Sequence, residues 1–354
     1  MDFTFTDDQL AFREAISRFL MVEAAPEVLR EIWETDAGRS PDLRSKMAEQ
    51  GLTALSVPES AGGMGMGDVA WSLMTQELGY YGIPDSLADT AYVACGLLCA
   101  LPEEVRDRQG WLEGIAEGGL RIAIGDPVNP LVADAHLADL LLMAHEDEVH
   151  LVPRALVDVE ANPSIDASRR LMRVMWEPTS ATRVVSREVG QALWAQTVDR
   201  GAQSVAGQLL GLAQRMLDLS VDYVAQRRQF GKPLGAFQAV KHQLADVAGK
   251  IEFAKPLLYR AAHSLETRDP DASLHVSQAK LACGEAAWLA ARNGIQVHGA
   301  MGYTWEVDLQ MFMKRAWALD AAWGDRGFHK ARIADAILAE GAALGPGHTF
   351  REAP

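Results

Sequence analysis

From Ala195 to Arg227 the chain runs without a proline, and apolar residues recur around most of a helical circumference: Val205, Leu209, Leu210, Leu212, Met216, Leu217, Val221 and Val224. A helix that is apolar on most sides must be covered by neighbours on most sides. Roughly 30 residues at 1.5 Å rise make a rod of about 45 Å. Burying such a rod takes partners of similar length. Three helical stretches follow, at about 234–267, 271–297 and 306–340, so residues 191–345 read as an antiparallel four-helix bundle. The tail from Gly345 has no such pattern and is expected to be loose.

The rest of the chain divides at Gly119. Residues 1–118 read as a helical domain. Thr6 and Gln9 form a capping box, ahead of an apolar stripe of Phe12, Ile16, Phe19 and Leu20. Ser40-Pro41 opens a second helix and Gly51 closes it. Further helices span about 68–78 and 84–101. Residues 119–190 read as a small β-domain. Its apolar segments 121–124, 138–144, 149–152 and 171–175 are short and bounded by turn residues, and Glu146-Asp147 sits where a hairpin would turn. The expected class is mostly α with a small β-domain, in the order helical domain, β-domain, helical bundle.

Charge narrows the function. The formal net charge is −15, which speaks against nucleic acid or an anionic membrane as partner. The acidic N-terminus is not a signal peptide, and Leu140–Ala144 is too short to span a bilayer. Three cysteines, Cys95, Cys99 and Cys283, fit a reducing compartment better than a disulfide framework. A cytoplasmic protein is expected. On a helix Cys95 and Cys99 share a face; without other ligands close in sequence they read as small buried hydrophobes.

Three clusters could carry chemistry. The glycine-rich stretch Gly62–Gly67 follows only a short apolar run and lacks a following Lys-Ser/Thr, so it reads as a structural turn. Arg227-Arg228-Gln229-Phe230-Gly231-Lys232-Pro233 ends the long helix. Two guanidiniums and an aromatic there suit a ligand with a diphosphate and a flat ring. A solvated cationic helix end explains them equally well. In Gln296-Val297-His298-Gly299-Ala300-Met301-Gly302-Tyr303 the small residues allow close backbone approach. His298 reads as a packed histidine rather than a catalyst.

These motifs, in this order, resemble the acyl-CoA dehydrogenase family. The resemblance rests on Arg227-x-x-Phe230-Gly231-Lys232-Pro233, Phe237-Gln238-Ala239-Val240, Leu244-Ala245-Asp246 and Gln296-Val297-His298-Gly299 up to Gly302-Tyr303. Weaker matches are Phe5–Gln9, Pro58–Gly67, Gln76–Gly79, Ala138-Asp139 and Leu151–Arg154. It covers nearly the whole chain. The resemblance implies FAD as cofactor and Cα–Cβ dehydrogenation of an acyl-CoA thioester. It implies that Arg227 contacts the FAD diphosphate, with Gln229 and Phe230 beside it. Gln238 and the segment with Gln296, Val297, Gly299 and Ala300 would contact the adenosine side. Those residues reach a FAD held mainly by a neighbouring subunit, so the resemblance also implies an oligomer, commonly of four chains, and an electron acceptor.

The same resemblance marks what is missing. The family's catalytic glutamate, about nine residues past the arginine matched by Arg315, falls on Gly324; its alternative place on the long bundle helix falls on Gly201. Of the flavin-ring loop only Asp126-Pro127 is similar, and the Trp-x-Thr flavin contact has no match beyond Trp176 in the same region. The pattern implies a non-catalytic subunit of a heteromeric enzyme, supplying diphosphate and adenosine contacts to a partner that brings the base. Two alternatives stand beside it: a self-sufficient enzyme with the base relocated to Asp325, and a scaffold or binding subunit without flavin chemistry.

Overall fold

A computed structural model describes residues 4–342 and 344–345; the tail beyond Gly345 lies outside them. The first helical domain holds α1 (Asp7–Glu23), α2 (Pro26–Glu34), α3 (Pro41–Glu49), α4 (Asp68–Tyr80), α5 (Cys95–Ala100) and α6 (Arg108–Ala116). Thr6 and Gln9 form both bonds of the capping box on α1. Where one helix is expected over 84–101, a π-helical segment, Asp89–Ala94, runs directly into α5.

The middle of the chain makes two small sheets. The strands are β1 (Ile122–Gly125), β2 (Leu131–Ala133), β3 (Leu140–His145), β4 (Glu148–Pro153), β5 (Asp158–Asn162), β6 (Leu171–Met175) and β7 (Arg183–Val185). One sheet has the order β1-β3-β4-β7 and the other β2-β6-β5. β3 and β4 form the expected hairpin. Its turn residues, Glu146 and Asp147, both have positive φ, the backbone that matches the twist of the flanking strands.

The bundle begins with α7 (Arg187–Gln226), which starts earlier than its apolar pattern because Gly190 packs on the hairpin; a Cβ there would sit 2.0 Å from the Asp147 carbonyl. A two-stranded ribbon, β8 (Arg228–Gln229) and β9 (Lys232–Pro233), leads into α8 (Gln238–Glu266), and α9 (Ala272–His298) follows. Glycines let α7 lie close to α4: Gly207 faces the Thr75 side chain, and Gly211 faces the Gln76 carbonyl.

The last bundle element departs from the expected single helix over 306–340. It is two helices, α10 (Leu309–Asp320) and α11 (Arg326–Leu338). Trp323 (φ 55°) and Gly324 (φ 95°) take left-handed backbone, which ends the first helix. Lys280 Nζ donates to the Asp320 carbonyl at 2.8 Å and the Gly324 carbonyl at 3.3 Å, satisfying the freed oxygens. Asp325 caps α11, accepting from the Phe328 amide at 2.8 Å.

Buried ion pairs join the three regions. Arg39 makes a two-pronged contact with Asp134, at 2.6 and 2.8 Å. Asp85 takes Arg44 and Arg121, and Arg315 reaches Asp166 at 3.3 Å. Arg169 donates to the Ala318 carbonyl. Each crossing places a guanidinium of one region on an oxygen of another, except Arg44–Asp85 within the first.

Candidate functional site

The two glycines at the positions that the resemblance assigns to the base, Gly201 and Gly324, do not face open space. At Gly201, on α7, a Cβ would fall 2.1–2.4 Å from three indole carbons of Trp323. The left-handed turn at Trp323 and Gly324 is what swings that indole onto α7. At Gly324 itself a Cβ would meet Phe328 Cδ1 at 2.4 Å and His329 Nε2 at 2.9 Å. A glutamate at either position would have to displace an aromatic ring.

His329 is held tightly there. Its Nε2 faces the Trp323 carbonyl at 3.1 Å, so this nitrogen carries the proton, and Nδ1 lies 3.1 Å from the hydroxyl oxygen of Ser277, which itself donates to the Ser273 carbonyl. Burial, aided by the neighbouring Lys280, pushes the imidazole down to about 4, so it is neutral at pH 7. Burial likewise lowers Lys280 to about 8.

Beside Trp323 lies a cavity of about 50 Å³, lined in part by Asp89, Arg169, Val205, Arg315 and Leu319. That holds a few waters; pockets for drug-sized ligands run to about 300–1,000 Å³. Burial pushes the Asp89 carboxyl up to about 7. Asp89 is thus an acid poised near neutrality at the cavity, and sequence reading missed it. Its only local signal is the π-helical segment it opens, a feature often found at functional sites, and no sequence pattern announces that.

Asp325, the base of the self-sufficient alternative, is exposed and spends its carboxylate on the α11 cap. Asp320 pairs with Arg326 at 2.7 Å. Asp126 accepts from the Val128 and Asn129 amides at 2.8 and 2.9 Å, so it closes its own turn. Trp176 packs edge-on against His150 inside the β-domain, with ring centroids 5.1 Å apart. The glycine-rich turn is structural, as expected. The amides of Gly62, Gly63, Met64, Gly65 and Met66 all bond to carbonyls between Ala54 and Glu59.

The second locus lies at one end of the bundle, where the C-termini of α7 and α9 meet the N-terminus of α8. Val224, Leu244 and Val297 form a small apolar cluster there, and His298 stacks on Tyr223 with centroids 4.1 Å apart. His298 also bonds the Gly294 carbonyl through Nδ1, so it is packed. Around this cluster Arg227, Gln229, Gln238, Gln296, Gly299 and Ala300 are exposed, while Val297 is buried. Phe230 stands at the ribbon tip, 88% exposed, with φ 53° beside Gly231 at 79°. Left-handed backbone costs a non-glycine residue roughly 1 kcal/mol. Lys232 lies over Phe237, 4.2 Å from its centroid, and Phe230 meets Phe237 edge-on at 6.1 Å. Among the described residues no ion pair engages Arg227 or Arg228.

This end can take an anionic ligand with a flat ring. It offers unpaired guanidiniums, an exposed aromatic and the first turn of a 29-residue helix. The arrangement fits the diphosphate side of FAD. On the flavin-ring side the fit is poorer, because Asp126 spends its carboxylate on its own turn.

Comparison with known proteins follows the same outline. Residues 6–119 match the acyl-CoA dehydrogenase N-terminal domain, and residues 189–338 match the acyl-CoA dehydrogenase C-terminal domain. The acyl-CoA dehydrogenase IpdE2 of Mycobacterium tuberculosis is 31% identical over 312 residues, covering 88% of this chain and 91% of that protein. A chain of the ChsE4-ChsE5 complex from Mycobacterium tuberculosis has the same fold, with a TM-score of 0.86 at 24% identity over 97% of this chain and all of that one. Butyryl-CoA dehydrogenase of Megasphaera elsdenii gives 0.85 at 21% identity, over 96% of this chain and all of that one.

Proposed function

The chain belongs to the acyl-CoA dehydrogenase family, and from that premise we propose that it is the non-catalytic subunit of a heteromeric, FAD-dependent acyl-CoA dehydrogenase. The observation that carries this reading is the Trp323 indole lying on Gly201. Dehydrogenation needs a carboxylate to take the α-proton of the thioester. Here both positions for that carboxylate are glycine, an aromatic ring fills the space over each, and the remaining cavity is too small for an acyl chain.

In this reading the chain works across a subunit interface. Arg227 holds the diphosphate of a FAD seated mainly in the partner, with Gln229 and Phe230 alongside. Gln238, Gln296, Val297, Gly299 and Ala300 line its adenosine side. FAD, when bound, accepts the hydride that leaves Cβ of the acyl-CoA. The partner supplies the base, and an external electron acceptor completes the cycle. The chain's own role is to bind and orient from the far side. Support comes from the exposed, unpaired Arg227 and Phe230 and from the likeness to a chain of a two-component complex. Two of each chain would make the four-chain assembly, in the cytoplasm.

The self-sufficient alternative with Asp325 as base draws no support from an exposed, cap-engaged carboxylate. Co-expression with a relative that carries the glutamate tests the proposal. One flavin per two family chains is the expected ratio, and Arg227→Gln should lower it. One flavin per chain, unaffected by Arg227→Gln, would refute the shared site.

A further inference from the structure

A second locus, far from the bundle end, is built around α5. Cys95 and Cys99 lie one helical turn apart with their sulfurs 4.0 Å from each other. Cys95 is fully buried; Cys99 is partly exposed. Cys99 opens onto a cavity of about 310 Å³, whose wall includes Gly96, Gln196, Arg200, Arg268 and Ser273. Gly96 makes room for a cation here. A Cβ at that position would sit 2.8–2.9 Å from three atoms of Arg200, so its side chain lies directly across α5. Arg108, from α6, donates to the Leu98 and Cys99 carbonyls at 2.9 and 2.8 Å.

The charged surroundings are mixed but uneven. Asp199 is occupied by Arg332 at 2.7 Å and by the Ser273 hydroxyl at 2.5 Å. Asp68 holds one edge of Arg200 at 3.2 Å and also takes the Tyr92 hydroxyl. Asp269 accepts from the Asp271 amide. Arg268 is exposed, and none of the ion pairs among the described residues includes it. The carboxylates around the cavity are thus engaged, and a guanidinium at its rim is open.

We propose that Cys99 is a modification site for small anionic disulfides. The Cys99 thiolate attacks one sulfur of the disulfide. A mixed disulfide forms on Cys99, the original S–S bond breaks, and the second half leaves as a thiolate that takes up a proton from water. Cys95 is a positioning residue: its buried thiol donates an S–H bond to the Cys99 sulfur and stabilises the anion. The donated bond, with Arg108 and Arg200 adding positive charge, brings the Cys99 thiol down to about 7. Burial and the same contact drive Cys95 up, so it stays a thiol. Such electropositive, partly open surroundings separate a reactive cysteine from an inert one. Cys283 is the contrast: it is buried, and burial raises it to about 12.

The test uses the full chain, with any co-purified partner, and oxidised glutathione as probe, followed by peptide mapping. One adduct per chain on Cys99 is expected, with a rate whose pH midpoint is near 7. It should form faster than with uncharged hydroxyethyl disulfide, and Arg268→Gln should shrink that preference. Cys95→Ala should move the midpoint towards the ordinary cysteine value. The thiolate fraction at pH 7 would fall about fifteenfold while its nucleophilicity rises about fivefold, a net loss of roughly threefold. Cys95→Ser keeps a donor and should restore most of the rate, which a merely structural role would not require. Modification at Cys95 or Cys283, a midpoint at the ordinary value in the wild type, or no adduct at all would overturn the proposal.

Discussion

The indole of Trp323 occupies the space that a side chain on Gly201 would need, with Cδ2 2.1 Å from the position of its Cβ. The two residues are far apart in sequence, yet each is intelligible only with the other. A small residue on α7 admits the ring, and the left-handed turn at Trp323 and Gly324 delivers it.

A double-mutant cycle should expose this dependence. Gly201→Ala alone overpacks the core and should cost about 1–3 kcal/mol. In a Trp323→Leu background the same change should cost much less, because the clashing ring is gone. Urea denaturation of the four proteins gives the coupling. Equal costs in both backgrounds would mean the contact is not what constrains Gly201.

Stability should vary with pH in two opposite ways in the same region. His329 is lowered in the folded state from 6.5 to about 4. Its contribution is therefore present above 6.5 and lost as pH falls towards 4, by about 3 kcal/mol in all. His329→Gln should gain on the wild type over that window. Asp89 is raised from 3.8 to about 7. Its contribution is present below 3.8 and lost as pH rises through 7, so Asp89→Asn should gain on the wild type as pH rises. Chemical denaturation of both variants from pH 4 to 8 checks the signs.

Removing one half of the Arg39–Asp134 pair should be severe. Both groups are buried, and Asp134→Ala leaves a guanidinium without its carboxylate. A loss of about 3–5 kcal/mol is expected, read from the urea midpoint. A change under 1 kcal/mol would show that water replaces the carboxylate at no cost.

Phe230 should behave in the reverse manner. It is almost fully exposed and holds positive φ, so Phe230→Gly should leave stability unchanged or raise it by up to about 1 kcal/mol. Flavin retained by a co-expressed assembly should nevertheless fall. Unchanged flavin would remove Phe230 from the proposed interface.

Local chemistry made much of this legible beforehand. The capping box at Thr6, the hairpin at Glu146-Asp147 and the long apolar rod each rest on residues near in sequence. The break between α10 and α11 does not. Only Gly324 marks it, and the positive φ of Trp323 is imposed by packing from α7 and α9. The buried braces were equally hidden: Arg39 and Asp134 lie 95 positions apart, so no window on the sequence contains both. At the bundle end the motif residues stand out as a sequence pattern, and their role in binding is the one proposed above. Arg227, Gln229, Phe230, Gln238, Gln296, Gly299 and Ala300 are exposed, so core packing does not account for them, while Leu244, Val297 and His298 are buried.

The most direct test is the visible spectrum of this chain purified alone, before and after adding acyl-CoA. A colourless protein that acquires flavin absorbance only with a glutamate-bearing relative is the result expected of a shared site. Stoichiometric flavin in the chain alone, bleached by acyl-CoA, would contradict the account and would send the search for a base to Asp89.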